Sequence, residues 1–256
     1  MADLSGWQLA ATIAALFSGA VLQTSSGFGF ALLALPLLGW IGVSGPVAIA
    51  MSLAAMMLLG AWLLSTSQEP VRARDNTINA VLTIIGSIAG VALLSLIWGT
   101  RPQLLGQLIG ALVVASVAAA ALLGPEPRAR VGAAVTASAM VLSGLLSGLS
   151  SIGGPPVALW AMAHDWSAER MRTTIWLLLM PRAPVLLVGL YLRFGAVVAD
   201  ALLVVLVAAP VLWLGSKIGR LLGKRLTAER LRPVALVVLL LAGASAIVQP
   251  LLAAGG

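Results

Sequence analysis

The chain has 256 residues, of which 61% are hydrophobic and 9% are charged, and its formal net charge is +7. Soluble domains carry roughly 25% charged residues, so this composition excludes an ordinary soluble protein and indicates a multi-pass protein surrounded by the lipid bilayer. The absence of cysteine excludes disulfides, thiolate metal sites and cysteine nucleophiles. The positive charge is attributed to arginine-rich cytoplasmic loops, and no nucleic-acid partner is expected.

Long uncharged runs predict eight membrane spans, near 7–23, 45–67, 77–98, 103–123, 131–149, 173–192, 197–218 and 233–251. Two shorter apolar pieces, 28–41 and 153–164, each follow a serine–glycine interruption. A helix of about 13 residues covers roughly 20 Å, which is less than the ~30 Å hydrocarbon core. Each short piece is therefore expected to be a broken or re-entrant helix, or to span with help from the extended backbone before it.

The two halves of the chain resemble each other. At an offset of 125 residues, five small residues of the first half fall on identical residues of the second: Ser18, Gly19, Ser25, Ser26 and Gly29 on Ser143, Gly144, Ser150, Ser151 and Gly154. At an offset of 129, the GSIAG that begins at Gly86 falls on the GSKIG that begins at Gly215. These matches predict a duplication into residues 1–125 and 126–256. Five segments per half is an odd number, so the predicted fold is an all-α polytopic membrane protein with two inverted five-segment repeats.

The basic residues favour ten crossings. If all ten segments cross, twelve Lys and Arg residues fall on one side, and only Arg101 and Arg193 fall on the other. This bias predicts that both termini are extracytoplasmic. The alternative is eight full spans with two re-entrant pieces, which would spread the basic residues over both sides.

Arg182 lies at the midpoint of the 173–192 run, between Pro181 and Pro184. An arginine in the middle of a bilayer costs about 2.5–3.5 kcal/mol on insertion scales, and no Asp or Glu is predicted at the same depth. One interpretation is a cation that binds an anionic substrate, since guanidinium pairs bidentately with oxyanions. The other is a structural arginine that holds the carbonyls freed by the prolines.

Each interruption is followed by a short helix, whose first amides are unpaired and whose dipole end is positive. Such helix starts in interrupted, repeated segments are typical of secondary transporters. The predicted anion site combines Arg182 with residues of the two interruptions: Ser25, Ser26, Gly27, Gly29, Ser150, Ser151, Gly153 and Gly154. Gln23, Thr24 and Trp160 are predicted as further contacts. The alternative is that small residues only allow close helix packing, which is the interpretation given to GSIAG, GSKIG and GLLSG (144–148).

His164 and Asp165 follow the second short piece, and His164 is the only histidine. They are a candidate proton relay, and the alternative is an interfacial cap beside Trp166. No motif predicts a phosphate-binding loop or a transition-metal site, so neither a cofactor nor a metal is expected.

The paired glycine-rich segments, SSGFGFALLALPLL and GLLSGLSSIGGPPVALW, resemble those of the TauE/SafE sulfite exporter family of membrane permeases. Phe28 and Phe30 stand where that family carries small residues, so the second half is expected to hold the ligand and the first to shape or gate the site. The resemblance implies outward movement of small anions such as sulfite, sulfoacetate and related organosulfonates or carboxylates. It is interpreted as a multi-pass protein of the inner membrane of a bacterium.

The sequence therefore predicts a secondary transporter of small anions, working by alternating access, and not an enzyme. An anion channel is the nearest alternative, although a channel would favour basic residues along a whole pore. An intramembrane serine hydrolase that uses His164 is a third hypothesis. Assembly into a homo-oligomer is left open.

Overall fold

The computed structural model of the protein describes residues 5–26, 29–66, 76–100 and 131–225, together with scattered residues between 104 and 118 and residue 244. Its regular elements are α-helices: α1 (Gly6–Ser26), α2 (Phe30–Trp40), α3 (Gly45–Thr66), α4 (Thr77–Thr100), α5 (Ala133–Ser150), α6 (Gly154–Met162), α7 (Ala168–Leu179), α8 (Arg182–Phe194), α9 (Ala196–Val207) and α10 (Ala209–Arg225). Most of the predicted span 103–123 and all but one residue of 233–251 lie outside the described residues.

Within the described residues, five helices are long and apolar enough to cross a membrane, or six if one bent pair counts as a span. They are Gly6–Ser25, Gly45–Thr66, Thr77–Thr100, Ala133–Ser150 and Glu169–Phe194, and the bent pair is Ala196–Val207 with Ala209–Gly223. In lipid the backbone must satisfy its own polar groups, which is why apolar runs of this length become helices. The prediction of an all-helical, multi-pass membrane protein is confirmed.

Two of the predicted spans are interrupted. The run 173–192 is divided into α7 and α8 at Met180 and Pro181, as the prolines suggested. The run 197–218, predicted as a single span, is divided at Ala208 into α9 and α10, which are bent by 58°. A proline lacks the amide hydrogen and crowds the preceding turn, so Pro181 and Pro210 account for both interruptions.

Glycines bring α4 against α5 and α10 against α1. A β-carbon at any of the four glycines between α4 and α5 would meet a backbone carbonyl of the facing helix: Gly86, Gly90, Gly144 and Gly148. Gly215 and Gly219 lie in the same way against the α1 backbone at Phe17 and Val21. In both pairs the facing residue numbers rise together, so the helices are parallel. The close-packing interpretation of GSIAG, GSKIG and GLLSG is confirmed.

The two short helices are interior elements. Eight of the 11 residues of α2 are buried, and five of the nine residues of α6 are buried. A helix that is apolar on all sides belongs inside a bundle. α2 packs between α1 and α3, and α6 packs against α5 and α7.

Candidate functional site

α2 folds back along α1, so its first turn lies inside the bundle. The amide of Phe30 donates to Gln23 Oε1 at 2.9 Å. A β-carbon on Gly19 would be 3.1 Å from the Phe30 ring. At the other end of α2, Gln8 Nε2 donates to the carbonyl of Ile41 at 3.1 Å. α2 therefore ends beside the start of α1, at that end of the bundle. It does not return to the end of the bundle where α1 ends.

α6 folds back along α5 in the same way. Ser143 Oγ, near the middle of α5, donates to the carbonyl of Gly153 at 2.5 Å. Trp160 Nε1, near the end of α6, donates to Thr136 Oγ1 at 2.9 Å, and Thr136 is in the first turn of α5. Each short helix thus begins partway along the long helix that precedes it and ends near the first turn of that long helix.

A narrow cleft lies between the two helix starts. Its walls come from the residues on both sides of each interruption and from α3 and α7: Gln23, Gly29, Phe30, Ala31, Leu32, Met56, Ser151, Ile152, Gly154, Pro155 and Leu179. Within the described part of the chain, the two interruptions that the sequence singled out therefore face one common space.

Arg182 is the first residue of α8 and is only 1% exposed. It lines a second cleft with residues of α3 and α7, and Met56 and Leu179 line both clefts. The two clefts therefore adjoin at Met56 and Leu179.

The guanidinium of Arg182 contacts α5. Its Nη1 donates to Ser143 Oγ at 3.1 Å and approaches the Ser143 carbonyl at 3.5 Å. Its Nε is buried without a partner, and no carboxylate of the described residues pairs with it. An uncompensated cation in this position is costly, so it needs either an anion or a reason in the fold.

Two serine hydroxyls of this region are also unpaired. Ser147 Oγ, near the guanidinium, and Ser151 Oγ, in the lining of the first cleft, are buried and have no partner among the described residues. Ser151 ends α5 in the left-handed region, with φ of 61°, and its amide donates to the Ser147 carbonyl at 2.7 Å. Ser143 and Ser147 were not among the predicted site residues. Their spacing of four puts both on one face of α5 and could have revealed them.

The other predicted hydroxyl groups are occupied within their own helices. Thr24 Oγ1 donates to the Ala20 carbonyl at 2.7 Å, Ser25 Oγ to Leu22 at 3.0 Å, and Ser150 Oγ to Leu146 at 2.9 Å. Thr24 and Ser25 also face α10 at Gly219 and Gly223, away from the cleft. Gly27 and the side chain of Ser26 lie outside the described residues.

Trp160, His164 and Asp165 lie at the opposite end of α6 from the cleft. The His164 ring stacks on Trp166 with centroids 4.1 Å apart, and its Nδ1 is 2.9 Å from the Trp160 carbonyl. Trp160 meets both rings edge-on, at 4.6 and 5.4 Å. Trp160 lines neither of the two clefts, because its indole N–H is directed to α5. This geometry favours the cap interpretation of His164 over a relay beside Arg182.

The helix starts offer fewer free amides than the sequence suggested. In α2 the first amide, that of Phe30, already donates to Gln23. In α6 the second and third positions are Pro155 and Pro156, which have no amide hydrogen. Side-chain donors must therefore supply most of the hydrogen bonds to a ligand.

Gly153 keeps this arrangement compact, and Gly153→Ala is expected to abolish anion binding. A β-carbon there would collide with Ser147 Oγ and the Ser143 carbonyl, and it would be 2.8 Å from Arg182 Nη1. The φ of Gly153 is −95°, so the space, not the backbone conformation, requires glycine. Titration of the purified variant with the wild-type ligand measures the effect. Gly132→Ala is the matched control, because nothing lies within 4 Å of its added carbon; equal binding by both variants would contradict the expectation.

The comparisons with known proteins agree with the fold and the composition. The family model described as "Sulfite exporter TauE/SafE" matches residues 11–246. Neither a curated protein nor a solved structure matches the chain. Because the match covers nearly the whole sequence, the chain belongs to the TauE/SafE sulfite exporter family.

Proposed function

We propose that this protein is a secondary transporter that moves small anions outward across the inner membrane of a bacterium. The substrates would be sulfite, sulfoacetate or related organosulfonates and carboxylates. The observation that carries the proposal is Arg182, a buried cation without a carboxylate partner among the described residues, placed beside two interrupted helices. An anion would neutralise this charge in the low-dielectric interior, where a bidentate guanidinium pair is strong.

Alternating access of two inverted halves, 1–125 and 126–256, is the proposed mechanism. The helix contacts support it, because the α1–α2 hairpin matches the α5–α6 hairpin, and the parallel α1–α10 pair matches the parallel α5–α4 pair. Since α4 and α5 are parallel, Thr100 and Ala133 lie at opposite ends of that pair, as an odd number of segments per half requires. In this proposal both termini are extracytoplasmic, and the substrate binds where the two halves meet.

The alternatives find less support. A continuous anion pore would favour basic residues along its length, whereas the described interior holds one fully buried cation, Arg182. A serine hydrolase needs a histidine in hydrogen-bond contact with its nucleophile. His164 follows the end of α6, whereas Ser151 precedes its start, and nine residues of helix rise about 13 Å.

Isothermal titration of the purified protein with sulfite, sulfoacetate and a dicarboxylate tests the proposal. At least one anion should bind with a stoichiometry of one per chain, and efflux of that anion from proteoliposomes should saturate. Absence of binding by all three anions contradicts the proposal. Efflux that rises linearly with concentration would favour the channel instead.

A further inference from the structure

We propose that Ser147 and Ser151 donate the hydroxyl hydrogen bonds that hold the anion beside Arg182. This inference rests on the proposed anion transport, and it names the groups that select the ligand within that site.

The three groups are the buried polar atoms that the fold leaves unsatisfied at this point. Ser147 is 0% exposed, Ser151 is 2% exposed and Arg182 is 1% exposed. Neither hydroxyl has a partner, and Arg182 Nε has none. Buried polar atoms in native proteins are nearly always hydrogen-bonded, so three unpaired ones in one place indicate a ligand or ordered water.

The start of α6 joins these groups into one site. The position of a β-carbon on Gly153 is in contact with Ser147 Oγ and is 2.8 Å from Arg182 Nη1. The backbone links Ser151 to Ser147 through a 2.7 Å hydrogen bond. Arg182 Nη1 is fixed by Ser143, which leaves the Nε edge of the guanidinium for a ligand.

The neighbouring hydroxyl groups cannot substitute for these two. A serine or threonine hydroxyl has one hydrogen. In Thr24, Ser25 and Ser150 that hydrogen is already donated to a carbonyl of the same helix. Only Ser147 and Ser151 among the described hydroxyls of the two interruptions have a hydrogen available.

In the first interruption, an apolar side chain stands at the position that matches Ser147. At an offset of 125 residues, Leu22 takes the place of Ser147. A β-carbon on Gly29, which this offset places on Gly154, would lie 3.2 Å from Leu22 Cδ2. Gln23 also occupies the first amide of α2. At this position the first half therefore has an apolar side chain where the second half has a hydroxyl.

The number of donors favours one class of anion. A guanidinium edge pairs with two oxygens, and two hydroxyls can reach a third. An anion with three oxygens on one atom, such as a sulfonate, uses all of these donors. A carboxylate has only two oxygens, so the same four donors would have to share two acceptor atoms.

Titration of three variants with methanesulfonate and with acetate tests the inference. Ser147→Ala and Ser151→Gly should each weaken methanesulfonate binding about tenfold or more, since a hydrogen bond to a charged group is lost. Glycine suits the positive φ of residue 151, so the second variant keeps its backbone conformation. Ser87→Ala is the control, because its hydroxyl is equally buried, is already bonded to the Thr83 carbonyl, and lies outside the predicted site. The preference for methanesulfonate over acetate should fall in the first two variants only.

The outcomes separate the inference from the proposed function. If the wild-type protein binds anions and all three variants bind methanesulfonate equally well, Ser147 and Ser151 hold water, and the inference is wrong while anion transport stands. If the wild-type protein binds no anion of either panel, anion transport itself is contradicted, and the inference is lost with it.

Discussion

Arg182→Met should lose anion binding and yet unfold at a higher temperature than the wild-type protein. Removing one partner of a buried, hydrogen-bonded charge pair weakens binding by about 3–5 kcal/mol, which is more than a hundredfold. Methionine has a similar volume and no charge, so it removes the cost of an unpaired buried cation when no ligand is present. Titration with the wild-type ligand and thermal unfolding in the same detergent measure the two effects.

This pair of measurements distinguishes the two interpretations of Arg182. If Arg182 has a structural role, the substitution should destabilise the protein, because Ser143 would lose its donor and α8 would lose its hydrogen bond to α5. Arg182→Lys keeps the charge but loses the bidentate fork, so binding should weaken without being abolished. Arg193→Met is the surface control, since Arg193 is exposed at the end of α8 and stacks on Phe194 at 5.6 Å. Normal anion binding by a variant with a substitution at position 182 would remove the main support for anion transport.

The positions of the two interruptions were predictable from the sequence. Serine and glycine before a short apolar run indicated a broken helix, and an arginine between two prolines indicated a special position in the membrane. Both signals come from a few adjacent residues. A broken helix and a buried arginine are costly in lipid, so such patterns have few other interpretations.

The partners of the site residues were not predictable in the same way. Trp160 is four residues from His164 and five from Pro155 in sequence, so spacing alone could not show that it bonds to Thr136 of α5. The capping of α2 by Gln23 depends on the chain folding back over an interruption, which no periodicity reveals. Whether a hydroxyl bonds to its own helix or remains free depends on the side-chain rotamer.

The bend at Ala208 illustrates a further limit. A long apolar run with Pro210 inside it is compatible with one span or with two helices. The structure has two helices bent by 58°. Pro210 accounts for the break, and the bent helices pack against α3 and α1, which are distant in sequence.

Gly148→Leu should prevent the protein from accumulating in a folded form. A β-carbon at Gly148 would meet the Ser87 carbonyl and would lie 2.7 Å from the Val91 amide nitrogen, so the two helix backbones must separate. In membranes such small residues provide the close approach that holds helices together, and overpacking a tight contact costs about 1–3 kcal/mol or more. Size-exclusion profiles and thermal unfolding of the detergent-purified variant measure the effect.

Gly189→Ala is the matched control, because its added carbon would be 3.5 and 4.0 Å from the Val91 methyl groups, which is ordinary contact. Gly148→Ala should lie between the two variants, and any folded protein it yields should also bind the anion more weakly. The reason is that α5 carries Ser143 and Ser147, so moving α5 away from α4 shifts the donors relative to Arg182. Normal folding and binding by Gly148→Leu would contradict the close α4–α5 contact, and with it the position of the serines beside the guanidinium.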